Sequence, residues 1–314
     1  MGRVLEVEGL RKYFYQGSGR KRTVVHAVQD VSFCLNRGGA LALVGESGSG
    51  KTTLARCLVK LYEPDRGSIR WDGVDVVPMG QKDFRPFRKR IQYVFQDPYS
   101  SLDPRMRVCS ILEEPLVLHS TCSREERLEL VERSLTAVGM DPTALGSFPG
   151  GFSGGQRQRI SLARALVQEP ECLILDEPVS ALDVSIQAQF LNLLMQLREQ
   201  KGYTCIFISH DLAVVKRVCE QVLVFYLGRI VEKGPVDRVF KDPRHPYTGL
   251  LLDSIPGSGR ESREDSGQIP SNIEPPPGCS FHPRCPLDKV DRCFTDFPPF
   301  SQRDGHFWAC YLSK

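Results

Sequence analysis

Two stretches of this chain carry residue types that bind phosphate, and a third carries acids that could work on it. The first is GESGSGKT, Gly45 to Thr52, which follows the apolar run ALALV at 40–44 and opens a helical pattern at Lys51. It fits G-x-x-x-x-G-K-[ST] in the strand–loop–helix setting the chemistry needs. Backbone amides from Gly48 to Lys51 can turn inward on an anion, the Lys51 ammonium can bridge two phosphates, and the Thr52 hydroxyl can ligate Mg²⁺. A plain glycine turn would require neither that lysine nor that threonine. The acids come in CLILDE (172–177): Asp176, ending a buried strand, can hold Mg²⁺ through water, and Glu177 can polarise an attacking water as general base. The second phosphate-binding stretch is FSGGQRQRISLARAL (152–166). Ser153 can cap a helix there, and the bare amides of Gly154 and Gly155 sit at its positive end, which makes a second anion site.

His210 closes the strand-like YTCIFIS, and Gln96 closes IQYVF. Both fall where parallel strands emerge, the edge at which α/β folds bind ligands. A lone histidine in such a place is ordinarily structural. Four polar strand ends (Gln96, Asp176, Glu177, His210) beside one phosphate loop point instead to a shared site.

The elements that must position these groups follow from patterning. Residues 3–8 and 30–35 read as strands, joined through the polar QGSGRKR (16–22) as a hairpin or loop. ALALV is a strand, and a helix runs from Lys51 to about Leu61. SIRWDG (68–73) and IQYVFQ (91–96) are further strands. From about Asp97 to Gln168 the pattern is helical. CLILD, a helix over 184–200, YTCIFISH, a helix to about Cys219, and the strand-like QVLVFYL and RIVEKG complete the alternation. Strands alternating with helices predict a parallel α/β sheet with a helical insertion over about 97–168. After residue 245 the character changes: SIPGSGRESREDSGQIPSNIEPPPG (254–278) has linker composition, and a small cysteine-bearing unit follows. The expected domains are 1–245 and 246–314.

Composition bounds the function. The 314 residues are 41% hydrophobic and 25% charged, ordinary for a globular chain of about two domains. A net charge of +3 is too small to suggest nucleic acid. Apolar runs fall far short of the ~20 residues that span a bilayer. The opening MGRVLEVEGL has no apolar signal segment, so the expectation is a cytosolic chain that reaches a membrane only through partners. Of 11 cysteines, seven are scattered among apolar runs as small hydrophobes. Cys279, Cys285, Cys293 and Cys310 crowd the tail, and in a cytosolic protein four such thiols suggest metal ligation before disulfides. A four-thiolate set suits zinc or an iron–sulfur cluster.

GESGSGKT, the glutamine of VFQDP, FSGGQRQR, LILDEP, SALD and ISHD stand in the order and spacing of an ABC-transporter ATPase subunit. The resemblance covers about residues 3–240. It implies a P-loop NTPase (RecA-like) core with an antiparallel β subdomain, a helical insertion and a small C-terminal cysteine-bearing extension. It implies that Gly45, Glu46, Ser47, Gly48, Ser49, Gly50, Lys51, Thr52 and Thr53 surround the phosphates of ATP, with Mg²⁺ on Thr52, Gln96 and Asp176. By the same resemblance Gln96 senses Mg²⁺ and the permease contact, and Ser153, Gly154, Gly155 and Gln156 form the signature. Asp183 belongs to the D-loop, His210 grips the γ-phosphate, and Phe14, with Tyr13 as competitor, stacks on adenine. In this family the signature of one chain faces the phosphate loop of another, so ATP lies between two chains and a lone chain hydrolyses it poorly.

VFQDPYSSLDPRM (94–106) and HPYTGLLLDSIP (245–256) resemble the dipeptide, oligopeptide and nickel importer subfamily. FPGGFSGGQ departs from its usual lead-in, with Phe148 and Gly150 in place of tyrosine and histidine. The resemblance implies a bacterial peptide importer, with the chain peripheral on the cytoplasmic face of the inner membrane. Its partners would be a related but different ATPase chain, two integral permeases contacted through the region from Gln96 to Glu114, and an extracytoplasmic peptide-binding protein. Nickel or glutathione-like peptides are the alternative cargo, and a soluble ATPase of the iron–sulfur assembly type is the alternative class. The tail pattern implies a 4Fe–4S cluster on Cys279, Cys285, Cys293 and Cys310 in a structural role, with zinc as alternative. The cargo itself is not legible, because selectivity lies in the binding protein and permeases.

Overall fold

The computed structural model describes residues 2–17, 23–120, 122–255 and 267–313, so most of the expected loop at 16–22 and part of the expected linker at 254–278 lie outside the described residues. In chain order the elements begin β1 (Arg3–Gln16), β2 (Thr23–Asn36), β3 (Ala40–Val44), α1 (Lys51–Leu58), β4 (Arg66–Trp71), β5 (Val74–Asp75), α2 (Arg85–Arg90) and β6 (Ile91–Val94). Then come α3 (Pro98–Ser101), α4 (Val108–His119), α5 (Arg124–Ala137), α6 (Gly154–Leu166), β7 (Cys172–Asp176), α7 (Val184–Lys201), β8 (Thr204–Ile208) and α8 (Leu212–Val218). The chain closes with β9 (Gln221–Tyr226), β10 (Arg229–Pro235), α9 (Val236–Lys241), α10 (Pro246–Asp253), α11 (Arg292–Thr295), β11 (Ser301–Arg303) and β12 (His306–Trp308). These elements form two compact units, one of residues 1–36, 40–78 and 207–314, the other of 37–39 and 79–206.

The first unit contains an antiparallel sheet in the order β2-β1-β4-β5. β1 and β2 are each far longer than the predicted 3–8 and 30–35, pairing from Arg3↔Asn36 out to Gln16↔Thr23. The reason is burial. Over Asp30 to Asn36 exposed and buried residues alternate, the period-2 signature of a strand with one dry face, whereas Thr23 to His26 are exposed or half-exposed and Ala27 to Gln29 are buried in a row, so neither stretch alternates.

In the same unit β3, buried along its whole length, pairs in parallel with β9 from Leu41↔Gln221 to Val44↔Val224. Continuous apolar runs of this kind are what a parallel strand covered on both faces requires. β10 pairs antiparallel with β9 and, on its other edge, with the tail strand β12 through Glu232↔Trp308 and Lys233↔Phe307. Glu232 is 0% exposed. Its carboxylate lies 2.6 Å from His306 Nε2 and accepts the backbone N–H groups of Arg244 and His245 at 2.7 and 2.9 Å. A buried acid is tolerated only with such partners, and here they tie the tail and the approach to α10 to one strand. Tyr226, Tyr247 and Phe281 add a buried aromatic cluster with ring centroids 4.6–5.5 Å apart.

The second unit contains the parallel pair β6 and β7, registered from Ile91↔Cys172 to Val94↔Leu175. α4, α5 and α6 pack on one another, and Ile111, Leu112, Leu116, Val131, Leu135 and Ile160 on them are all buried. Two capping boxes start the helices of this region: Ser123 with Glu126 at α5, and Ser153 with Gln156 at α6. Each is worth about 1 kcal/mol of helix stability. The chain is therefore α/β with parallel and antiparallel pairing and a helical stretch where the sequence placed it. No helix among the described residues is long and apolar enough to cross a membrane.

Candidate functional site

The phosphate loop leaves the buried end of β3 and delivers the chain into α1. Its glycines are there for space and dihedral angle. Gly45 has φ +145°, and a Cβ there would stand 2.2 Å from the Phe225 carbonyl oxygen. Gly50 has φ +107°, and its Cβ would stand 2.1 Å from the oxygen of Ala27. No L side chain fits either place, so both ends of the loop are fixed by close backbone approach. Between them Ser47 and Gly48 form an exposed arch, closed by Ser49 N–H donating to Glu46 O at 3.2 Å.

Lys51 is 5% exposed. Its ammonium donates to the carbonyl oxygens of Gly45 and Glu46 at 2.7 and 2.8 Å and to Ser49 Oγ at 3.3 Å. A buried charge thus stands inside the loop, on two carbonyl oxygens and a hydroxyl, which suits it to meet an anion. Thr52 and Thr53 follow in the first turn of α1. His210 is exposed immediately after β8, and its neighbour Ser209 donates its N–H to Leu43 O of β3 at 3.2 Å. Asp211 then caps α8 by accepting the N–H groups of Ala213 and Val214. Phe14 lies half-buried on β1, its ring edge-on to Tyr62 at 5.2 Å with the Lys12 ammonium 5.3 Å from its centre, while Tyr13 meets His26.

The second unit holds the acids. Asp176 ends β7, 2% exposed, and accepts a 2.6 Å hydrogen bond from the Tyr93 hydroxyl. Glu177 has φ +44°, a left-handed backbone rare for a residue with a side chain. The Ser180 N–H and hydroxyl both donate to its carbonyl, and Gln96 Nε2 donates to its carboxylate at 2.8 Å. The turn after β7 therefore aims Glu177 away from the strand direction, with Gln96 as its partner. Tyr93 was not singled out from sequence. Its signal was a hydroxyl-bearing aromatic inside IQYVF, three residues before Gln96.

Ser153 caps α6 as expected, and Gln156 turns back onto it: Ser153 N–H donates to Gln156 Oε1 at 2.9 Å, and Gln156 N–H to Ser153 Oγ at 3.4 Å. The start of this helix borders a cavity of about 600 Å³ lined by Ser153, Gly155 and Gln156 together with Asp141, Arg159 and Ile186. Gly155 packs so closely that a Cβ would meet Ile186 Cγ2 at 2.5 Å. Asp183 occupies the N-cap of α7 without a side-chain capping bond.

The structure brings together the four tail cysteines that the sequence offers as metal ligands. Cys279, Cys285, Cys293 and Cys310 do line one pocket, with Phe281 and His282. Among the described residues, however, no group of three or more His, Cys, Asp or Glu side chains is placed to hold a metal ion. The gap is about 10 Å³, room for about one water. Burial pushes the Cys279 thiol up to about 12, with its three neighbouring thiols adding to the rise, and burial raises Cys285 as well.

Comparison with known proteins places these features in company. The family model described as "ABC transporter" matches residues 28–180, and that described as "Oligopeptide/dipeptide transporter, C-terminal region" matches 231–293. The oligopeptide transport ATP-binding protein AppF of Bacillus subtilis is 46% identical, across 98% of this chain and 97% of its own. The dipeptide transport ATP-binding protein DppF of Haemophilus influenzae is 44% identical, across 98% and 96%. Among solved structures, the dimeric post-hydrolysis state of the ATP-binding cassette MJ0796 with ADP and phosphate superposes with a TM-score of 0.67 at 26% identity, covering 74% of this chain and 98% of that one.

Proposed function

This chain belongs to the ABC transporter ATP-binding family, and on that premise we propose that it is the ATP-hydrolysing subunit of a bacterial importer of di- and oligopeptides. Residues 1–245 act as the ATPase domain, with a helical subdomain at about 97–168, and 246–314 as its extension. Gly45 to Thr53 hold the triphosphate, and Lys51 bridges its β and γ groups. Thr52, Gln96 and Asp176 would hold Mg²⁺, which would supply positive charge against the phosphates. Glu177 draws the proton from the attacking water, and His210 grips the γ-phosphate. Phe14 stacks on adenine. Ser153, Gly154, Gly155 and Gln156, with Asp183, complete the site of a second ATPase chain, related but not identical. Two integral permeases and an extracytoplasmic peptide-binding protein finish the machine, and the chain works at the cytoplasmic face of the inner membrane. A helix end binds the γ-phosphate only while it persists, so closure follows ATP binding and opening follows hydrolysis.

The likeness to AppF and DppF along nearly the whole chain carries this reading. The soluble iron–sulfur assembly alternative draws no support from those relatives. In a reconstituted complex with its permeases, peptide loaded on the binding protein should raise ATP turnover at least about tenfold over the lone chain. A lone chain with Ser153 and Gly154 replaced that turns over as fast as the complex would sink the shared-site reading. Stimulation by Ni²⁺ and not by peptide would transfer the proposal to the nickel cargo.

The finer cofactor reading is a structural 4Fe–4S cluster on Cys279, Cys285, Cys293 and Cys310, with zinc as alternative. Their sharing one pocket supports it. When bound, the cluster would supply cross-linking to a tail too small to bury its own core. Anaerobic purification should yield about four iron and four sulfide per chain. One zinc and no iron would select the alternative, and neither metal would end the ligand reading.

A further inference from the structure

The exposed arch of the phosphate loop, Glu46 to Gly48, lies between β3 and α1 and is part of neither. The C-terminal extension holds it instead. Arg284 reaches across 238 positions of sequence to grip the Glu46 carboxylate bidentately, donating from its two terminal nitrogens at 2.8 and 2.9 Å. The Tyr247 hydroxyl accepts the Glu46 N–H at 2.8 Å, and Asn272 Nδ2 donates to Gly48 O at 2.8 Å. Asn272 is itself fixed, its carbonyl accepting the His26 N–H at 2.9 Å.

We propose that Arg284 is a positioning residue of the nucleotide site: it acts through Glu46 to set the shape and charge of the phosphate loop in its own chain. The proposal rests on the reading of Gly45 to Thr52 as the triphosphate cradle. Three observations carry it. The guanidinium is 3% exposed and stands against Tyr226 and Phe281, so burial and packing fix its fork before any nucleotide arrives. A bidentate pair fixes direction as well as distance, which a lysine could not do. Glu46 is also the only acid in GESGSGKT, and an uncompensated carboxylate in an anion-binding loop opposes the charge it must receive. Arg284 cancels that charge and anchors the arch in one contact. The extension thus belongs to the nucleotide site as well as to the tail.

The test uses the full chain, titrated with a fluorescent ATP analogue in Mg²⁺ and with ADP, and the reconstituted complex for steady-state rates. Arg284→Gln should weaken ATP binding about tenfold and ADP binding less, since ADP carries less negative charge. In the complex KM should rise while kcat holds, the pattern of lost ground-state binding. Arg284→Lys, keeping the charge but losing the fork, should fall between. The double variant Glu46→Gln/Arg284→Gln should return to within about threefold of wild type, because removing both charges removes the repulsion. A simple packing role would leave the double variant as weak as the single one, which overturns the proposal, as would Arg284→Gln binding ATP within about twofold of wild type. If Arg284→Gln does not fold, the Arg284→Lys titration decides by the same criteria. No nucleotide binding by the wild-type chain would sink the phosphate-loop reading and the brace with it.

Discussion

Glu177→Gln should slow ATP hydrolysis by the assembled complex about 10²–10⁴-fold while leaving ATP binding near its wild-type strength. The substitution keeps the shape of the side chain and a hydrogen-bonding partner for Gln96, which stands 2.8 Å from the carboxylate. It removes only the capacity to take a proton. The left-handed backbone at Glu177, φ +44°, is unfavourable for either residue, so folding does not distinguish them. Because the bound triphosphate then persists, the variant should also accumulate a closed, ATP-loaded pair of ATPase chains, measurable by size-exclusion chromatography with ATP and Mg²⁺. Single-turnover kinetics in the reconstituted complex provide the rate. Hydrolysis within a fewfold of wild type would remove Glu177 from the role of general base and direct attention to His210.

Lys51→Ala should cost about 10²-fold in ATP affinity, the worth of two hydrogen bonds from a charged donor at about 1.5 kcal/mol each. The side chain is buried inside the loop, its ammonium on the carbonyl oxygens of Gly45 and Glu46. Truncation withdraws that ammonium and leaves those two oxygens to find other donors. A modest fall in thermal stability should accompany the loss, and a melting curve without nucleotide separates the two effects. Arg284→Gln and Lys51→Ala also differ in kind: the first should be rescued by Glu46→Gln, the second should not. Binding of a fluorescent ATP analogue within threefold of wild type would contradict the assigned place of Lys51.

Local chemistry made much of this molecule legible. The run ALALV must be a buried strand because it is apolar without interruption, and GESGSGKT after it leaves the backbone few options besides a tight anion-binding turn. Ser153 announces the start of α6 by the capping rule, and the structure adds the reciprocal bond from Gln156. Asp176, Glu177 and Gln96 were found as polar residues closing apolar strands. Where periodicity faded, so did the reading: the outer ends of β1 and β2, residues 11–16 and 23–26, are exposed or half-exposed without alternation.

Sequence by itself determined the glycine loop after β3, the capped start of α6, the acids at the strand end and the α/β alternation, because each depends on residues within a turn or a strand of one another. Tertiary structure alone decided that Tyr93 holds Asp176, that Glu232 pins the tail through His306, and that Arg284 clasps Glu46. It also decided that the four tail thiols, spread over 279–310, line one pocket. Such pairings join groups 74 to 238 positions apart. Nothing in local spacing encodes them; they exist only once the buried strands have brought distant segments together and left each polar group to find a partner away from water.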